Sequence, residues 1–592
     1  MIVPMKKATI LFRTGDAETT VKYLRNLGLL HVEHQTLPEG RDISELQEKV
    51  ALINSSFDVL NRVTDSEKNI QLQNNITSDW TTVADRIIEL GNQLEQLESS
   101  SGNIISQINE WERWGDVDIR QIQHLSQNGI YLALYEVPVK EIRSFPKDVV
   151  VKTIFTAGNI AHCITISRRR FEFAFSEILP PKETVSALKE QLIRNNKDIE
   201  MIKGEIIKSA CFFEALVGIE KKLKKEIEFQ QVVSGMGKDG AISYVTGYIP
   251  HDLEGHLLAE ARSRKWGIVI AEPSADDNVP TLLRNPPWVN RIRPVLDLLG
   301  LTPGYHELDV SMLFLVFFAI FFGILIGDAG YGLVYILLTL LITHWLRKRT
   351  KLNQEMKMMI SLFYILGSCA IIWGVLTGTF FGQEWLQTLG VMPLVPQLND
   401  ASTMQSFCFF LGAVHLSIAH SWQAYLKYPS LKALADAGWI CVLWTAFFVA
   451  RTLILGEAFP PWVIWLFAAG IILVILFTSP QPNLFRAIGE GLGTVALSLM
   501  NNFTDVISYI RLFAVGLAGL AIAETTNTLS SGFGSGVVAL VAGVVILIIG
   551  HGLNIILGLM SVLVHGVRLN VLEFSGHANV TWSGFEFEPL KE

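Results

Sequence analysis

EGLGTVALSLMNNFTDVISYIRLFAVGLAGLAIAE, residues 490–524, is an apolar run without proline in which Arg511 is the only basic residue. As a helix rising about 1.5 Å per residue it is roughly 50 Å long, against a hydrocarbon core of about 30 Å. Such a helix tilts strongly or projects beyond a bilayer. Arg511 lies too deep for easy snorkelling, and a guanidinium there costs about 2.5–3.5 kcal/mol on the lenient insertion scale. It cannot discharge itself, because its pKa is above about 12. A permanent cation in that position needs an anion to face.

The rest of the composition fits a membrane protein with a large polar part. Half of the 592 residues are hydrophobic, yet the apolar runs gather after about Leu308 and the charges before it. The length is too great for one domain. A net charge of −8 gives no reason to expect nucleic acid. The five cysteines, Cys163, Cys211, Cys369, Cys408 and Cys441, are far apart and suggest neither a disulfide framework nor a metal site. The first residues, MIVPMKKATILFRTGDAE, lack an apolar segment with a small-residue cleavage site, so no signal peptide is expected and the amino terminus is expected in the cytoplasm.

Residues 1–308 read as a cytoplasmic α/β and coiled-coil domain. Lys6–Phe12 and LLHVEH are strand-like around a helix at Ala17–Leu29. Ile43, Leu46, Val50, Ile53, Phe57 and Leu60 repeat at spacings of three and four, as a coiled-coil seam does. The pattern fades at Asn69–Ser78 and returns at Val83, Ile87, Leu90, Leu94 and Leu97. The β-rich runs YLALYEVP, DVVVKTIF and HCITIS follow, then a second seam through Leu188, Leu192, Ile199, Ile202 and Ile206. The expected layout is a hairpin. Arms 43–115 and 182–232 carry a distal lobe, 126–180, while segments 1–40 and 235–275 form a base lobe, and 276–308 is a linker. Gly235–Gly240 (GMGKDG) matches GxGxxG, but a helix leads in and a strand leads out, the reverse of what a dinucleotide site needs. No GxxxxGK[ST] motif occurs, so no ATP-hydrolysing P-loop is expected.

Residues 309–592 read as a membrane domain with eight spans, at about 310–327, 329–346, 357–381, 403–425, 437–456, 461–478, 489–526 and 535–569. The last two are long and tilted. Arg347, Lys348, Arg349, Lys351 and Lys357, then Lys427 and Lys432, then Arg486 fall in alternate loops. The loops Gln383–Ser402, Gly456–Pro461 and Thr525–Gly534 contain no Lys or Arg, which places both termini in the cytoplasm. In the last span His551, Asn554, Gly558, Ser561, His565 and Arg568 recur at spacings of three and four. This is a stripe of polar or small residues suited to a hydrated ion path. Ser508 shares the Arg511 face, whereas Asp505 lies about 120° away.

SYIRLFAVGLAGLAIAE, HGVRLNVLEFSGH, FFAIFFGILIGDAGYG (317–332) and PTLLRNPPWVNRIRPVLDLLG (280–300) resemble the large membrane subunit of V-type and A-type rotary ATPases, called subunit I in prokaryotes and subunit a in eukaryotes. The resemblance covers essentially the whole chain. It implies a stator in a prokaryotic plasma membrane, with ion half-channels for protons or sodium beside a rotating proteolipid ring whose helices bear carboxylates. Arg511 then faces the ring carboxylate, Arg568 matches the family's second membrane arginine, and His565 and Glu573 occupy matching positions around it. The arms dock peripheral-stalk coiled coils, which link the subunit to the central stalk and catalytic head. No cofactor is implied. Gly519 and Gly558 depart from the eukaryotic pattern, which has His and Glu there, so Glu490, Asp505, Glu524 and His551 become candidates for the half-channels.

Two other readings are weighed against this one. A secondary transporter would show internal repeats and broken helices, and the two functional spans read as uninterrupted. A membrane-anchored coiled-coil scaffold would pair Arg511 with an acid of its own chain at matching depth.

Overall fold

The computed structural model describes residues 1–64, 79–170, 175, 177–181, 183–349, 352–383, 393–478, 484–532 and 536–591. The faded seam at Asn69–Ser78 and the loop cation Lys351 lie outside these residues. The chain divides into two compact units, residues 11–28, 32–246 and 590–592 in one, and residues 1–10, 29–31 and 247–589 in the other.

Strands are β1 (Met5–Arg13), β2 (His31–Glu33), β3 (Tyr131–Pro138), β4 (Val150–Ala157), β5 (Ile160–Ser167), β6 (Glu177–Ile178), β7 (Gly237–Asp239), β8 (Ile242–Pro250) and β9 (Gly267–Ala271). They make two sheets, one of order β2-β8-β1-β9 with β7 on β8, the other of order β4-β5-β3-β6.

In the first unit, helices Arg41–Thr64, Trp80–Trp111, Val185–Ser209 and Phe213–Gly235 bury one shared seam. Ile53, Leu60, Ile87, Leu90, Leu94, Ile199 and Ile206 form its centre. Period-3.5 apolar positions bring these residues to one face of each helix, and cross-helix pairs flank them: Arg62–Glu98 at 3.2 Å, Lys203–Glu98 at 3.3 Å and Arg86–Glu205 at 3.3 Å. Within 182–232 the helices Val185–Ser209 and Phe213–Gly235 are joined by a 3-10 turn at Ala210–Phe212. Asp116 accepts from the Ser186 backbone N–H (3.1 Å) and Oγ (2.6 Å) beside the start of Val185–Ser209, and these bonds hold its carboxyl below the usual range. The Gly235–Gly240 segment does run from a helix into a strand. Its middle glycine has a packing reason: a Cβ on Gly237 would fall 2.1 Å from the Tyr244 ring.

In the second unit, every expected apolar span contains a helix. Among the described residues six helical stretches are long and apolar enough to cross a membrane: Ala329–Arg349, Gln354–Thr377, Ala401–Lys427, Ala433–Leu455, Val495–Ser531 and Val537–His577. Ser311–Ile326 and Val463–Phe477 are shorter apolar helices, of 16 and 15 residues. Ser311–Ile326 is the hub, with Phe314, Phe317, Phe318, Phe321 and Phe322 buried among its neighbours. The C-terminal tail folds back on the linker. The Thr281 N–H donates to the Phe585 carbonyl (2.8 Å) and the Phe587 N–H to the Thr281 carbonyl (3.0 Å). Burial alone would raise the Glu307 carboxyl, but bonds from Thr581, Gly304 and Trp582 outweigh it and hold it low.

The spans that carry Arg511 and Arg568 are not uninterrupted, contrary to the expectation from sequence. The run around Arg511 is two helices, Leu484–Ser508 and Ile510–Ser531, meeting at Tyr509. The cause is local. Tyr509 is fully buried beside Gly412, where a Cβ would come within 2.7 Å of its ring, and the Arg511 side chain takes the Ser508 carbonyl. The last span is α-helical at Val537–Ser561, then has π-helical turns at Val562–Gly566 and Leu569–Phe574. A π turn adds a residue and so rotates everything beyond it. The face drawn from spacings of three and four therefore does not run straight through to Arg568.

Candidate functional site

The site is built where the Tyr509 break meets the π turns. Arg511 Nε donates to the Ser508 carbonyl at 3.0 Å, a carbonyl close to the break. Its terminal Nη2 donates to Glu573 Oε1 in a short ion pair. Arg568 Nε lies 3.8 Å from the same oxygen. The Glu573 side chain is 5% exposed, Arg511 22% and Arg568 56%. The second oxygen, Oε2, is buried without a hydrogen-bond partner among the described residues. Two permanent cations thus share one carboxylate, leaving about one positive charge uncompensated.

Beneath them the Tyr509 hydroxyl bonds His415 Nδ1 at 2.8 Å, and the His415 ring lies between Phe317 and Phe574, with centroids 3.8 and 4.3 Å away. This aromatic layer fixes the backbone that carries Arg511.

The other candidates divide into separate places. Ser508 turns its hydroxyl to the Asp505 carbonyl (2.7 Å), inside its own helix. His565 is half-buried next to Arg568. His551 and Asn554 join a different network. The Tyr331 hydroxyl bonds His551 Nδ1 (2.7 Å), and Asn554 Nδ2 donates to Tyr331 Oη (2.9 Å) and the Gly519 carbonyl (2.8 Å). His551 Nε2 reaches Asn527 Oδ1 at 3.1 Å. Glu524 is exposed at the rim of a cavity of about 290 Å³ that also contains Asp328 and Tyr331. Glu490 is in the helix Leu484–Ser508, and its side chain lies outside the described residues.

Asp505 leads to residues that sequence reasoning missed. Its Oδ2 meets His577 Nε2 at 3.1 Å, and His577 continues to His420, Asp436 and Lys427. Asp328 was missed too: its carboxylate, 3% exposed, accepts from the Tyr331 and Gly382 N–H groups at 3.1 Å each. The only sequence signal was that His577 and Asp328 lie within HGVRLNVLEFSGH and FFAIFFGILIGDAGYG. Among the described residues no His, Cys, Asp or Glu group is arranged to hold a metal ion.

No family model matches the chain. V-type ATP synthase subunit I of Borreliella burgdorferi is 28% identical over 630 aligned residues, covering 100% of both chains. V-type ATP synthase subunit I 1 of Treponema pallidum is 29% identical over 638, again covering 100% of each. A-type ATP synthase subunit I of Methanocaldococcus jannaschii is 25% identical over 470, covering 72% of this chain and 66% of that protein. The solved cytoplasmic N-terminal domain of subunit I, homolog of subunit a, of V-ATPase matches 45% of this chain at 13% identity, with a TM-score of 0.23. This multi-pass membrane chain is therefore similar over its whole length to subunit I of V-type ATP synthases, and over 72% of it to subunit I of an A-type ATP synthase, a membrane subunit of rotary ATPases.

Proposed function

We propose that this chain is the stator of the membrane sector of a V/A-type rotary ATPase, carrying ions past a rotating ring of proteolipid carboxylates. The observation that carries the reading is the excess cation at Arg511, Arg568 and Glu573. A fixed positive charge lowers the pKa of a passing carboxylate and favours ion release on one side of it. It also bars a direct leak of cations. The Tyr509 break and the π turns support the reading, since such irregularities hold side chains where a regular helix cannot.

In this reading Ser311–Ile326 and Val463–Phe477 complete eight crossings, both termini are cytoplasmic, and the base lobe, arms, distal lobe and linker divide residues 1–308. The arms dock peripheral stalks that resist torque, and ATP is hydrolysed or made elsewhere in the complex.

The scaffold reading has one observation in its favour, the carboxylate of Glu573 within the same chain. Arg511→Gln separates the two. In vesicles with a fully assembled complex, ATP-driven ion uptake is expected to disappear. Uptake near the native rate would sink the stator assignment and bring the scaffold forward.

A further inference from the structure

Four helical segments bring a second group of ionisable side chains together, away from the arginines. Asp505 Oδ2 lies 3.1 Å from His577 Nε2, and His577 Nδ1 lies 2.9 Å from His420 Nε2. His420 Nδ1 lies 3.3 Å from Asp436 Oδ1, and Lys427 Nζ donates to Asp436 Oδ2 at 2.7 Å. All four ring nitrogens are engaged in a single file. His420 and Asp436 are buried, 8% and 4% exposed. The file borders a cavity of about 400 Å³ whose other polar walls include Ser498, Asn501 and Asn502. Among the described residues, the charged or titratable groups facing the file are its own two carboxylates and Lys427, His415 five residues earlier on the His420 helix, and Tyr509 near Asp505.

Counting protons gives the file a function. Each histidine nitrogen that faces a carboxylate must carry a hydrogen, and one of the two nitrogens between the rings must carry a third. Two neutral imidazoles and two carboxylates supply only two. The file as drawn therefore holds one proton in excess, balanced with Lys427 to zero net charge. A proton accepted at one end and released at the other restores the same proton count, and rotation of the two rings then returns each hydrogen to its starting nitrogen, which is what a relay requires. A metal cation has no vacancy in such a file.

We infer that Lys427, Asp436, His420, His577 and Asp505 form a proton relay that carries H⁺ between the cavity and the helix leading to Arg511. Asp505 is its inner end, six residues before Arg511, with Ser508 between them bonded to the Asp505 carbonyl and lending its own carbonyl to Arg511. Proton transfer rests on the stator reading for its destination. Hydrogen bonds along the file rest on geometry alone.

The test is ATP-driven acidification of vesicles with the assembled complex, comparing native protein with His577→Gln, His420→Gln and His577→Ala. Glutamine keeps hydrogen bonding but cannot pass a proton through a ring. Acidification is expected to fall about tenfold or more in both Gln variants, and added imidazole is expected to restore part of it in His577→Ala. Two Gln variants guard against failed assembly of one. Loss that imidazole does not rescue would mean the file is a structural clamp and would overturn the relay. So would native acidification in both Gln variants, or ²²Na⁺ uptake by the native complex that neither variant changes. Arg511→Gln run alongside keeps the readings apart: if it too pumps normally, the stator reading fails, whatever the histidines do.

Discussion

Two polar networks cross the apolar half of this chain, and they differ in what they hold. One ties Tyr331, His551, Asn554 and Asn527 together; the other runs from Asp505 through His577 and His420 to Asp436 and Lys427. In the first, every bond is complete with all groups neutral. The Tyr331 hydroxyl donates to His551 Nδ1, His551 Nε2–H donates to Asn527, and the Asn554 amide donates to Tyr331 and the Gly519 carbonyl. Nothing in it needs an extra proton. The second cannot be drawn without one. Polarity inside a membrane protein is therefore no guide to ion traffic by itself, because neutral networks glue helices and only networks with a mobile charge can carry one.

The comparison breaks first, and with the largest effect, at Glu573, which belongs to neither network and compensates the arginines. Glu573→Gln keeps a hydrogen-bond acceptor for Arg511 but removes the carboxylate the two guanidiniums share. An added uncompensated charge lowers a facing carboxylate's pKa by about one unit or more, and its protonated fraction at a given pH falls about tenfold for each unit. ATP-driven uptake should fall by at least that factor. The complex should also melt earlier, since breaking a buried pair costs up to about 3–5 kcal/mol. Unchanged uptake would mean that the charge at this point is structural.

What could be read from the chain follows the same line. Arg511 was legible, because one cation in a long apolar run breaks the pattern around it. The seams through Ile53, Ile87 and Ile199 were legible because their period is local. The partner of Arg511 was not: Glu573 entered only through the resemblance, placed around Arg568, and the π turns that bring it to Arg511 leave no trace in the spacing. His551 and Asn554 were picked out as a stripe, but spacing cannot tell a neutral partner such as Tyr331 from water. Among the five relay residues Asp505 drew notice as a half-channel candidate and Lys427 only as a loop cation. His420 and His577 are 157 positions apart, and no periodicity links them. The Tyr509 break escaped because spacing shows neither of its causes: the close pass of Gly412 comes from another helix, and the turn of the Arg511 side chain onto the Ser508 carbonyl is a choice of rotamer.

The next effect is smaller and should touch assembly more than transport. Asn554 is buried and bridges its helix to Gly519 and Tyr331. Interhelical hydrogen bonds in membranes average about 0.6 kcal/mol and reach about 1.7. Asn554→Ala should lower the thermal stability of the solubilised complex by an amount of that order and leave uptake within roughly threefold of native. Loss of uptake with stability unchanged would move Asn554 into the ion path and erase the contrast.

The smallest effect sharpens the contrast most, because it compares histidines alone. His551 and His577 each use both ring nitrogens, yet only His577 sits in a file that needs an excess proton. Glutamine can replace an imidazole that donates once and accepts once, so His551→Gln should leave the pH profile of ATP-driven uptake within about twofold of native at each pH. The same exchange at His577 should depress the whole profile. A His551→Gln profile displaced along the pH axis would show that its imidazole changes charge during turnover. The network around Tyr331 would then be a second path for protons, and its completeness without an extra one would describe only its resting state.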